Sequence, residues 1–150
     1  MQTKRDIVLI PAVGFALLVS GTFLSAQQKP AAKPASSPFK IAANVQQVMT
    51  AITIPASDAI FGAASDTPKT DGAWQALQNN ALVLAESGNL LMIPGRAKDN
   101  QEWVKQSQAM IDAAMIAFNA AAAKNADKLA DAGDKIYGTC ETCHNKYMAK

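Results

Sequence analysis

Near the C-terminus, Cys140-Glu141-Thr142-Cys143-His144 forms the run C-x-x-C-H. On a helix, three-residue spacing puts both sulfurs on one face, and the imidazole that follows can turn to the same side. Two thiols so placed suit the two vinyl groups of one haem, with a histidine as the proximal iron ligand, and this spacing is the attachment signature of c-type haem. Cys140 and Cys143 are the expected thioether anchors, and His144 the expected axial ligand, of one covalent haem c. Other chemistries compete for these residues. An oxidising compartment allows a Cys140–Cys143 disulfide. A thioredoxin-like dithiol calls for a strand ahead of its helix, and no stretch of this chain alternates as a strand does. A zinc site of four protein N/S ligands exceeds an inventory of two cysteines and one histidine.

Four stretches must position that motif, all with helical periodicity. The first carries Val45, Met49, Ile52, Ala56 and Ile60, with Pro55 inside it to kink it or remove one hydrogen bond. The second carries Trp74, Leu77, Ala81, Leu84 and Leu91, with Thr70 or Asp71 as cap and Pro94-Gly95 as stop. The third is expected to begin at Asp99, with Glu102 completing a capping box, and carries Trp103, Met110, Ala114 and Phe118. The fourth follows Asn125 or Asp127 and carries Leu129, Ile136, Cys140, Cys143 and Tyr147, with Gly133 in the same stripe as a point of close approach. Short links between such helices predict an all-α, antiparallel up-down-up-down four-helix bundle over residues 39–150, with the haem near its C-terminus. Its many alanines fill little volume, so a large group is expected inside.

Composition agrees with one small helical domain. Charged residues are 17% and hydrophobic residues 49% of 150, which excludes disorder of the whole chain. Aromatics are 6% and β-branched residues sparse, which disfavours sheet. A net charge of +2 offers no basic excess for nucleic acid.

The first 26 residues read as an export segment. Lys4 and Arg5 precede residues 7–26, which carry no charge. Cleavage after Ala26 and retention as a membrane anchor are both compatible with this run, and the positive flank keeps the N-terminus cytoplasmic either way. Residues 27–38 (QQKPAAKPASSP) form a Pro/Ala-rich linker. The remainder is expected in the periplasm, soluble or tethered to the inner membrane.

With these residues in view, the chain resembles the cytochrome c′ family, the class II c-type cytochromes. The resemblance covers roughly residues 39–150. It rests on a C-x-x-C-H close to the C-terminus, Tyr147 three residues on, the four preceding helices, and Trp103, which is similar to a tryptophan common in the family. It implies an antiparallel four-helix bundle with the haem between helices near one end. It also implies that one residue of the first helix divides two behaviours. Low-spin members carry a methionine there as sixth iron ligand and transfer electrons; high-spin members keep an apolar distal face, stay five-coordinate and bind NO or CO. By position that residue is Met49, whose thioether suits haem iron; its competing role is a gap-filling core methionine. Met92, Met110, Met115 and Met148 are weaker candidates by position. The turn before Met49 holds Val45 where high-spin members often have arginine, and Pro55 is a second departure. Homodimerisation through the first two helices is implied by the same resemblance.

The expected function is that of an exported monohaem electron carrier working with redox partner proteins, with no enzyme activity of its own. The alternative is a five-coordinate protein that binds NO or CO. A tethered haem subunit of a membrane enzyme is compatible with the first. Arg96 is a candidate contact for a haem propionate, against the commoner roles of capping a helix C-terminus or facing water. Lys135 and Lys146 flank the haem segment, as docking charges or as a solvated face. Glu86 and Asp112 form no carboxylate pair.

Overall fold

The computed structural model describes residues 38–148, all within the unit Ser36–Lys150. Residues 1–26, expected to be an export segment, and all but the last residue of the expected linker 27–38 lie outside the described residues. Among the described residues there is no strand, and four helices account for the fold. They are α1 (Val45–Ser65), α2 (Asp71–Leu91), α3 (Glu102–Ala122) and α4 (Ala126–Tyr147). Each packs against its neighbours in the order α1, α2, α3, α4 and back to α1, the arrangement of a helical bundle.

Side-chain caps fix the starts of three helices. Asn44 Oδ1 accepts from Gln47 N at 2.9 Å and Gln47 Oε1 accepts from Asn44 N at 2.9 Å, a reciprocal capping box at α1. Thr70 Oγ1 accepts from Ala73 N, and Asn125 Oδ1 from Lys128 N. The third helix departs from expectation. It begins at Glu102, and Asp99 stands before it, accepting from Gln101 N at 3.0 Å and Trp103 N at 2.9 Å. Glu102 is bonded to Gln106 instead of reaching back, so no capping box forms. The link 92–101 is correspondingly long and turns through Gly95, whose φ of +92° disfavours any side chain.

The expected stripes of α2 and α3 face the core. Trp74, Leu77, Ala81, Leu84 and Leu91 are all buried, as are Trp103, Met110 and Ala114, while Phe118 is half-buried against them. Small residues let these two helices approach closely: a Cβ on Gly88 would stand 2.6 Å from Ile111 Cγ1 and 3.0 Å from Ser107 O. Gly133, expected to be such a point, would meet only Phe61 at an ordinary 3.7 Å.

α1 is different. Pro55 has no N–H to give Ala51 O, which ends the α-helical ladder at that point. The chain widens into a π-helical stretch, Met49–Thr53, closed by Ile54 N bonding Met49 O five residues back. The buried positions therefore step from Val48 to Thr53, and Met49 and Ile52, expected inward, are half-buried. α1 is also long and apolar enough to cross a membrane by length and composition, and here it supplies one wall of the bundle core.

Candidate cofactor site

Cys140, Cys143, His144 and Tyr147 occupy the last two turns of α4, at spacings of three, one and three residues. The inward stripe of this helix begins with Leu129 and Ile136, both fully buried, and thins out at the motif. Cys140 and Cys143 are half-buried free thiols, and His144 is exposed. Burial pushes both thiols above the ordinary cysteine value, with the neighbouring Cys140 adding to the effect on Cys143. A redox-active dithiol needs the opposite shift, so these cysteines are poor thiolate nucleophiles.

Two cavities meet at this turn. The larger, about 750 Å³, lies between the segment entering α1, the loop around Gly95–Lys98, the start of α3 and the end of α4. Its wall includes Met49, Arg96, Trp103, Cys143, His144 and Tyr147. The smaller, about 60 Å³, lies deeper and is lined by Met49, Thr53, Met110, Cys140, Cys143 and His144 among others. Met49, Cys143 and His144 thus border both. The structure brings together the four residues singled out by sequence on α1 and α4. Met110 of α3 shares the small cavity, and Met148 shares the large one.

Arg96 is buried and has two carbonyl partners. Its Nε donates to Ala43 O at 3.1 Å, and its Nη1 to Leu90 O at 2.5 Å. It therefore holds the last turn of α2 and ties down the segment entering α1, and it also lines the large cavity.

The turn carrying His144 is held by contacts that sequence reasoning missed. Tyr147 Oη donates a short hydrogen bond to Asp99 Oδ2, and the Tyr147 ring meets Trp103 edge-on, centroids 5.0 Å apart at 75°. Trp103 Nε1 donates to Leu91 O at 2.8 Å. One assembly so links the ends of α2 and α4 to the start of α3. The Tyr147 hydroxyl, with help from Trp103 N, holds the Asp99 carboxyl at about 2. Desolvation and the same carboxylate push the Tyr147 phenol up to about 12. Asp99 and Tyr147 lie 48 residues apart, and no local pattern could have paired them. Lys146 stands 5.4 Å from the Tyr147 ring centroid, a cation–π contact. Lys135 is exposed, and Glu86 accepts from Asn89.

These residues fit a haem on chemical grounds. Two neutral thiols, an imidazole and a thioether converge on adjoining cavities, the donor set a c-type haem uses. Among the described residues no group of three or more His, Cys, Asp or Glu side chains is arranged to hold a bare metal ion. No family model, curated protein or solved structure matches the chain.

Proposed function

We propose that the chain is an exported, monohaem c-type cytochrome of the cytochrome c′ kind, acting in the periplasm as a one-electron carrier. The observation that carries this reading is the convergence of Met49, Cys140, Cys143 and His144 on the same pair of cavities. The antiparallel up-down-up-down topology belongs to the proposal. It is supported by the clustering of the start of α1, the end of α2, the start of α3 and the end of α4 around Arg96, Trp103 and Tyr147. At the other end, Lys124 Nζ, in the link before α4, bonds Asp71 Oδ1 at the start of α2, 2.7 Å away.

Cys140 and Cys143 would hold the haem as thioethers, and His144 and Met49 would supply its two axial ligands. When bound, the haem supplies a ferric/ferrous couple, and a His/Met pair sets that couple high. The chain's own part is to fix the donors. The α4 turn is anchored through Tyr147 and Asp99, and Met49 is set by the π-helical stretch. Arg96 would balance propionate charge at the cavity wall. Side chains held in place in this way would leave little to rearrange if the iron they hold changed charge. Redox partner proteins, and a second copy of the chain through α1 and α2, are the proposed associates.

Mass spectrometry of the exported protein after denaturation tests the covalent claim. One haem retained per chain, and lost in Cys140→Ser/Cys143→Ser, is the expected result. A polypeptide mass with no added group, from cells competent in cytochrome c assembly, would overturn it.

A further inference from the structure

One buried polar group near the four donors has no role in that reading. Thr53 closes the π-helical stretch and is 3% exposed, and its Oγ1 has no hydrogen-bond partner among the described residues. A helical threonine ordinarily turns its hydroxyl to the carbonyl three or four residues back, and Thr53 makes no such bond. The unused hydroxyl borders the 60 Å³ cavity.

The other hydroxyls around that cavity are committed as donors. Ser57 gives its proton to Ile54 O at 3.0 Å, Ser107 to Trp103 O at 2.9 Å and Thr139 to Ile136 O at 2.7 Å. Each keeps lone pairs that can accept. Among the hydroxyls of this wall, Thr53 alone keeps a free donor, and the other three, contributed by α1, α3 and α4, can accept. That pattern complements a water, which accepts one such bond and donates two. About 60 Å³ exceeds the ~10–15 Å³ that a single water requires.

We propose that the Thr53 end of this cavity is an internal water site, anchored by Thr53 Oγ1 and bridging α1 to α3 and α4 beside Met49. The site itself stands on the geometry of the described residues. Its consequence for iron rests on the haem reading: a polar molecule beside Met49 stabilises the more highly charged ferric state and lowers the reduction potential.

The test compares Thr53→Val, which keeps the shape and removes the hydroxyl, with Thr53→Ser, which keeps the hydroxyl, in the full-length protein as purified. The urea-unfolding midpoint decides the water site. Thr53→Val is expected to lower it more than Thr53→Ser does, because the valine cannot hold the water. A midpoint that rises or stays put in Thr53→Val would show a hydroxyl that binds nothing, and would overturn the site. Redox titration then decides its reach: a more positive potential in Thr53→Val, and not in Thr53→Ser, is expected, and equal potentials would remove the link to iron. A protein lacking haem would fail the proposed function and leave the urea comparison standing. A crystal structure with a cofactor atom, rather than water, bonded to Thr53 Oγ1 would also overturn the proposal.

Discussion

The α2–α3 interface and the α1–α4 face are built on opposite terms. Between α2 and α3, alanines and Gly88 bring the helices so close that no added Cβ fits at that glycine. Toward the C-terminal turn of α4, α1 widens at Met49–Thr53, the cysteines are only half-buried, and both cavities open there. The many alanines were expected to leave room for a large group inside. The small residues close one interface, and the spare volume gathers beside Met49, Cys143 and His144. The tightest packing and the candidate site therefore lie in different parts of the bundle.

Truncation should expose this asymmetry most strongly. Leu84 is fully buried on α2, and Leu84→Ala should cost ~2–5 kcal/mol. Ile52→Ala, on half-buried α1, should cost clearly less; equal losses in urea unfolding would contradict the contrast. Glycine replacement gives the next largest effect. Gly88→Ala must push Ile111 and the Ser107 carbonyl aside and should cost ~1–3 kcal/mol. Gly133→Ala meets only ordinary contact and should gain up to ~1 kcal/mol of helix propensity. Thermal melts of the two variants should therefore move in opposite directions.

The smallest effect is the pH dependence of the Asp99–Tyr147 link. Asp99 is depressed to about 2, so its contribution is complete above the unfolded value of ~3.9 and is lost as pH falls through about 2. Tyr147 is raised to about 12, so its contribution is complete below ~10 and is lost as pH rises through about 12. Urea midpoints across pH should show both windows in the wild type. Tyr147→Phe should remove the alkaline window and shrink the acid one. An unchanged profile would mean that the α4 turn is held by packing alone.

Much of this was legible in sequence where the backbone is regular. The stripe from Trp74 to Leu91 is buried as its periodicity predicts, and Thr70 and Asn125 cap as their side chains allow. Legibility failed where one residue changed the period. Pro55 removes a donor, the helix answers with a five-residue step, and Thr53 takes an inward place that a 3.6-residue repeat assigns to Ile52. The Asn44–Gln47 box was readable from its N-x-x-Q spacing and was missed. The Asp99–Tyr147 link was not, because a contact across 48 residues depends on the finished bundle. Met49, Cys140, Cys143 and His144 were singled out from sequence; their placement around two adjoining cavities came only with the fold.

In the proposed reading Met49 and His144 would both hold the iron of one haem. Visible spectra of the wild-type holo-protein and of Met49→Leu, ferric and ferrous, with and without CO, test this. Sharp ferrous bands, a methionine-to-iron charge-transfer band and no response to CO are expected in the wild type. Met49→Leu should lose that band and shift with CO. A wild-type spectrum that is already high-spin and shifts with CO, or one that Met49→Leu leaves unchanged, would contradict this reading.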